Sequence, residues 1–382
     1  MIAVPCLRAV AAPNAFKGSL PAPAAAAAIC AGVRDACPDA VTTSVPMADG
    51  GDGTAETLAA ALGGRRLAVA GPWPPRVLAH VVHLPDGTGV VDIASASGLG
   101  KGRPTAAAAL AATSGATGLL VRRALDTGAR RLWIALGGSA TTDGGTGLLA
   151  ALGARWLDGD GVELPPGGAA LARLARVDLS GLGWLRETPF TLLVDVANPL
   201  LGGQGAAAAF APQKGADAAG TAALEAGLGR LALVLEAAVG RRLRDLPGAG
   251  AAGGAGFGLA AALGAEIRPG AEVVAEATDL LGHLRGADLC FTGEGALDAQ
   301  TALGKAPAVV GQRAAAAGVP AIALAGALGP GWEALLRPAG PLTAALPLAP
   351  GPRSRREALA ATAIDLRRTA ATAVRLFRSG RA

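Results

Sequence analysis

Short runs of apolar residues alternate along the chain with longer alanine-rich stretches whose larger apolar side chains recur at helical spacing. The short runs predict strands over residues 7–12, 41–46, 77–84, 88–94, 131–136, 191–194, 287–292, 320–325 and 342–346. The longer stretches predict helices over residues 21–36, 54–62, 117–127, 146–152, 217–239, 256–263, 306–317 and 353–378. Strands spaced by helices of this length spell an α/β fold with a mainly parallel sheet, because each parallel crossover needs a helix to return the chain. One pair breaks the rhythm: 77–84 and 88–94 are joined by Pro85-Asp86-Gly87, a hairpin signal. The break marks the entry to a second domain, and simple alternation resumes near Asp288. The expectation is two α/β domains. One, Rossmann/flavodoxin-like with a mainly parallel sheet, is built from residues 1–75 plus 286–382. The other is an inserted mixed α/β domain, residues 76–285.

The polar residues gather where strands end. The first predicted strand opens into Asn14, Lys17, Gly18 and Ser19, and the second into Asp49, Gly50, Gly51, Asp52 and Gly53. The strand at 131–136 opens into Gly137, Gly138, Ser139, Thr141, Thr142 and Asp143. The one at 191–194 opens into Asp195 and Asn198, and the one at 287–292 into Gly293, Glu294 and Gly295. Ligands of open α/β sheets bind at the carboxyl ends of the strands. Glycine lets the backbone approach a phosphate, and the next helix offers it free N–H groups. An aspartate beside glycine equally suits a helix N-cap or a turn. It is the repetition that points to a phosphate-handling site, here in the cleft between the two domains.

Composition sharpens this. Of 34 basic residues only four are lysine, Lys17, Lys101, Lys214 and Lys305, and each adjoins a glycine. A compact ammonium suits a phosphate oxygen as a point charge. The net charge of +5 fits an anionic ligand. Aromatics are only 3% and no dense Lys/Arg block is present, which argues against nucleic acid. The basic stretch 353–381 reads as a solvated helix face. The uncharged stretches 246–265 and 314–332 are rich in Gly and Ala or broken by Pro320 and Pro330, so no membrane span is expected. Four cysteines without a CxxC pair, and no secretory signal, suit a reducing cytoplasm. No GxxxxGK[ST], HRD or DFG motif is present, so neither a P-loop nor a protein-kinase fold is expected, and the first loop lacks the GxGxxG of a dehydrogenase. His80, His83 and His283 fall outside the loops, so carboxylates must carry any proton transfer.

The same loops resemble those of the bacterial type I glycerate kinases, in order and across nearly the whole chain. Residues 13–20 (PNAFKGSL) resemble PDSFKGSL, 46–54 (PMADGGDGT) resemble PMADGGEGT, and 137–147 resemble GGSATNDGGxG. Residues 195–200 resemble DVxNPL, 212–216 PQKGA and 247–254 PGAGAAGG, and 292–307 resemble TGEGxLDxQTxxGKAP. Asn14 stands where the family has aspartate, Asp52 where it has glutamate, Ala296 where arginine is common and Leu303 where histidine is common. The likeness is poor over 100–105.

The resemblance implies ATP-dependent phosphorylation of D-glycerate, with the 2-hydroxyl as acceptor, in organic-acid metabolism. Its ligands would be ATP, Mg²⁺ and glycerate, and its assembly a monomer or homodimer. Phosphoryl transfer needs positioning and charge neutralisation above all. Asp49 and Glu294 are the candidate Mg²⁺ ligands, and Lys17 and Lys305 the groups neutralising phosphate or carboxylate charge. Asp195, with Asp298 second, is the candidate base. Ser19, Gly137, Gly138, Ser139, Thr141, Asp143, Asn198 and Lys214 are the remaining binding candidates. The competing expectation is an inert sugar-acid or nucleotide-binding protein of the same fold.

Overall fold

The structure is a computed structural model that describes residues 6–70, 79–99, 104–338 and 340–380. Lys101 and the start of the strand expected at 77–84 lie outside them. The chain divides into two compact units: Met1–Asp49 with Ala60–Leu62 and Ala271–Ala382, and Gly50–Ala59 with Gly63–Gly270.

The first unit carries a five-stranded, wholly parallel sheet. Across the sheet its strands run Val41–Ser44, Arg8–Ala11, Leu289–Leu297, Ala321–Leu328 and Ala344–Pro347. Numbered along this unit, that order is 2-1-3-4-5, the flavodoxin-like arrangement, which reverses direction between Arg8–Ala11 and Leu289–Leu297. Helices Ala22–Ala36 and Arg355–Ser379 cover one face. They approach closely because Gly32 has no Cβ to strike the carbonyl of Arg367. Ile29, Val33, Phe291, Leu324, Leu366 and Val374 form the core between helices and sheet. The inner strands Arg8–Ala11, Leu289–Leu297 and Ala321–Leu328 are largely buried and began as apolar runs in the sequence, whereas the edge strand Val41–Ser44 is polar.

The second unit has a six-stranded mixed sheet, in the order Glu266–Pro269, Phe190–Val194, Arg131–Ala135, Thr88–Asp92, Ala79–His83 and Arg65–Val69. The first four run parallel, and the last two add antiparallel. The hairpin turns at Pro85-Asp86-Gly87 as expected. Asp86 accepts the Thr88 N–H at 2.9 Å, and Gly87 takes the positive φ the turn needs. A two-stranded hairpin, Arg155–Leu157 with Arg176–Asp178, lies apart from this sheet. The core is built on Val81, Val91, Ile134, Leu148, Leu192, Leu228 and Phe257.

The sequence pattern did not reveal four strands, Arg65–Val69, Arg155–Leu157, Arg176–Asp178 and Glu266–Pro269. Arg65–Val69 and Glu266–Pro269 are the edges of the six-stranded sheet, where exposed charge interrupts the apolar run. Short helices at Ile93–Ser97, Ala106–Ala111, Ala206–Phe210, Gly270–Ala277 and Leu280–Leu284 were equally invisible. One or two turns of mostly small residues carry little periodicity. The strand expected at 287–292 runs on to Leu297, so Gly293 and Glu294 lie within it, Glu294 opposite Ala325. The neighbouring strand, which continues to Leu328, keeps this segment extended. Among the described residues, no helix is long and apolar enough to cross a membrane.

Candidate active site

In the first unit the sheet's reversal point holds a cavity of about 520 Å³. Lys17, Asp49, Glu294, Asp298 and Lys305 line it together. The central strand sets their positions. Gly293 O accepts the Asn14 N–H at 2.8 Å, and the Thr292 hydroxyl donates to Ala12 O at 2.9 Å, so the Lys17 loop is tied to the strand that carries Glu294. Gly293 permits this because a Cβ there would strike the Leu324 carbonyl of the adjacent strand.

Asn14 is buried, and its Nδ2 donates to Asp49 Oδ2 at 3.0 Å. The departure from aspartate at this position thus supplies a donor that holds the Asp49 carboxylate, where a second carboxylate would repel it. Glu294 is buried and accepts a 2.8 Å hydrogen bond from Thr301 Oγ1. Burial pushes its carboxyl up to about 7, against the Thr301 hydrogen bond and the charge of Lys305; Asp49 adds to the rise and Lys17 opposes it. Asp298 Oδ1 accepts the N–H groups of Gln300 and Thr301 at 2.9 and 3.2 Å, folding the turn that leads to Lys305. The Ser19 hydroxyl donates to Leu359 O at 3.0 Å and lies 2.5 Å from Thr362 Oγ1, binding its loop to helix Arg355–Ser379.

The second unit gathers the other candidates at the carboxyl ends of its parallel strands. Gly50 sits against the Leu193 carbonyl, and Gly137 N–H donates to Gly50 O at 2.8 Å. Gly138 turns the chain at φ +79° into Ser139. Asp143, fully buried, binds the Ser114 N–H and hydroxyl, each at 2.8 Å, and the N–H groups of Gly145 and Gly147 at 3.1 and 3.2 Å. Its carboxylate is therefore the clamp that shapes the glycine loop. Against that loop packs a segment in which Ala252, Gly253 and Gly254 are all left-handed; Gly144 N–H donates to Gly253 O at 3.0 Å.

Lys214 reaches into this loop from the turn Pro212–Lys214. Its buried Nζ donates to Ser139 Oγ at 3.1 Å and to Thr141 O at 2.6 Å. Burial lowers its ammonium to about 8, partly offset by the Asp143 charge. The Thr141 hydroxyl is buried with no hydrogen-bond partner. A buried cation beside an unspent hydroxyl is what an anionic ligand group would complete. Asp195 follows directly on Phe190–Val194, half-buried. Asn198 holds the same loop through Nδ2 to Gln204 O at 2.8 Å, while its carbonyl accepts Gly250 N–H at 2.9 Å.

A polar residue outside the loops also escaped the sequence reading. Asp92, buried at the end of Thr88–Asp92, accepts the N–H groups of Gly53 and Ala55 at 3.0 and 2.9 Å and so caps helix Thr54–Leu62. Burial pushes its carboxyl up to about 7. A lone acid ending an apolar strand was the available signal. His83 is structural: its Nε2 lies 2.8 Å from Thr127 Oγ1, and burial lowers its pKa.

The buried lysine gives a first prediction. Lys214 titrates near 8 in the fold and near 10.5 in the unfolded chain, so between those values the unfolded chain binds more protons and folding stability rises with pH. Lys214→Met has no such proton. The stability of the natural protein relative to this variant should therefore climb between about pH 8 and 10, by on the order of a few kcal/mol. Parallel urea titrations across that range measure the difference. A constant difference would mean the ammonium is not buried.

The profile of the glycerate kinase family matches residues 9–378. Glycerate kinase of Bacillus subtilis (strain 168) is 43% identical over 326 residues, 84% of this chain and 85% of that one. Glycerate 2-kinase of Escherichia coli (strain K12) is 42% identical, over 84% of this chain and 86% of that one. Among solved structures, that of a candidate glycerate kinase 2 from Salmonella typhimurium LT2 superposes with a TM-score of 0.83. It is 37% identical and covers 98% of this chain and 99% of its own.

Proposed function

Because the chain belongs to the glycerate kinase family, we propose that it transfers the γ-phosphoryl group of ATP to the 2-hydroxyl of D-glycerate, giving 2-phosphoglycerate for organic-acid metabolism. The observation that carries the reading is the convergence of Lys17, Asp49, Glu294 and Lys305 on one cavity at the sheet's reversal point. Identity to kinases over most of the chain gives no support to an inert binding protein. The Escherichia coli relative is a glycerate 2-kinase, which supports the 2-position. Three buried free thiols and one exposed support the reducing cytoplasm as its compartment.

Mg²⁺ is part of the proposal, and the residues fit it. Among the described residues no cluster of three His, Cys, Asp or Glu could hold a metal. Mg²⁺ bound to nucleotide phosphates needs only one or two carboxylates and water, and Asp49 with Glu294 supplies that number. The ion would neutralise charge on the phosphates. Lys17 and Lys305 extend that neutralisation and orient the transferring group. In the second unit Lys214, Ser139 and the Thr141 hydroxyl hold an anionic group of a reactant, with Asp143 as their positioning residue. Asp195 accepts the proton of the attacking hydroxyl.

Phosphorus NMR of the product of Mg·ATP and D-glycerate tests the assignment. A 2-phosphate couples to one carbinol proton, whereas a 3-phosphate couples to a methylene pair. The second pattern would overturn the regiochemistry, and absence of any new ester would overturn the activity. EDTA in excess should abolish turnover and Mg²⁺ restore it. Turnover persisting in EDTA would remove Asp49 and Glu294 from the metal role.

A further inference from the structure

The charged cluster occupies only part of the cavity in the first unit. The same cavity is also lined by the apolar residues Leu348, Ala349, Ala358 and Leu359 and the small residues Gly326 and Ala327. At about 520 Å³ the whole space lies in the range of cavities that enclose drug-sized ligands. A three-carbon acid would leave most of it empty. It would also leave the apolar walls without a partner.

A second observation marks this apolar lining as built for a ligand. Arg353 and Asp365 both line the cavity. Asp365 is buried, and Arg353 Nη2 lies 2.8 Å from its Oδ2. That nitrogen is buried, and beyond this ion pair it has no hydrogen-bond partner. A buried ion pair adds little to stability, and an unspent buried donor costs free energy. A guanidinium fixed by a carboxylate also presents a flat, donor-rich face, suited to a planar ring that bears acceptor nitrogens.

We propose that the apolar lining of this cavity, Leu348, Ala358 and Leu359, together with the Arg353–Asp365 pair, holds the purine base of the nucleotide donor. The triphosphate then extends toward Lys17 and Lys305, and the small acid is held elsewhere. The inference rests on the kinase reading for the identity of its ligand, and it assigns the first unit as the nucleotide-binding one. The fold agrees, since nucleotides bind at the reversal point of such sheets.

Two substitutions test this. Ala358→Leu adds bulk to the apolar lining from a helical position where leucine is well tolerated. Arg353→Met keeps the stem and removes the donors. Calorimetric titration with ADP, which needs no catalysis, should show binding weakened at least roughly tenfold in each variant, about 1.4 kcal/mol. Where turnover is measurable, KM for ATP should rise by a similar factor while KM for glycerate stays within about twofold. Arg353→Met should also narrow the preference for ATP over inorganic tripolyphosphate. Thermal melts of both variants show that the fold is retained.

If the natural protein binds no ADP, or if Ala358→Leu and Arg353→Met both bind it unchanged, the inference is wrong. A rise confined to KM for glycerate would also overturn it and give the cavity to the acid. ADP binding that the variants lose, in a protein that does not phosphorylate glycerate, would uphold the base site while rejecting the kinase reading.

Discussion

Asp195→Asn is expected to lower kcat by about a thousandfold while KM for both reactants stays within about threefold. The carboxylate stands at the carboxyl end of Phe190–Val194, half-buried, on a loop held by Asn198 and Gly250. Asparagine keeps the shape of the side chain and the loop but cannot accept the proton of the attacking hydroxyl. The loss therefore belongs to the chemical step rather than to binding. Steady-state kinetics on a variant with an unchanged melting temperature reads this directly. A kcat within about threefold of the natural enzyme would dismiss Asp195 as the base. Asp298 would then take its place as the next candidate, although its Oδ1 already receives two backbone N–H groups.

The second large effect concerns the backbone. Gly253→Ala should destabilise the protein by at least about 3 kcal/mol. Gly253 sits at φ +65°, and a Cβ there would strike the Thr141 carbonyl and come 2.5 Å from Thr142 Cα. Neither neighbour can move without disturbing the loop that Asp143 clamps, and the Thr141 carbonyl also receives the Lys214 ammonium. Gly240 is the internal control. It too is left-handed, at φ +69°, but a Cβ there meets nothing within 4 Å. Gly240→Ala should cost only the backbone term, about 1 kcal/mol. Urea denaturation of the two variants separates steric from conformational cost. Equal losses would show that the two glycine segments are not in tight contact.

The contrast between these glycines explains what was legible in the sequence. Apolar runs with both faces covered, such as Phe190–Val194, announced themselves, and so did helices as long as Ala218–Val239. The edge strand Arg65–Val69 did not, because its arginines face solvent. The loops were visible as clusters of glycine, lysine and carboxylate, but the division of labour within them was not. Asp143 and Asp195 look alike on the page, yet one is spent on four donors inside its own unit and the other stands half-buried at a strand end. Hydrogen-bond saturation arises from chain segments far apart in sequence, and no local pattern encodes it. Asp92 was hidden for the same reason, since its partners Gly53 and Ala55 lie 39 and 37 positions away.

The 2-1-3-4-5 sheet also constrains how the molecule comes into being. Its opening strand, Arg8–Ala11, lies between Val41–Ser44 and a partner 280 positions downstream, where Arg8 N–H meets Asp288. The ribosome must therefore deliver all of Gly63–Gly270 before that central pairing can close. Until then one edge of the nascent βαβ segment has no neighbour, and such an edge is open to wrong partners. Helix Arg355–Ser379 is likewise laid against Ala22–Ala36, an element made more than 300 positions earlier, so this helix pair also waits for the intervening chain.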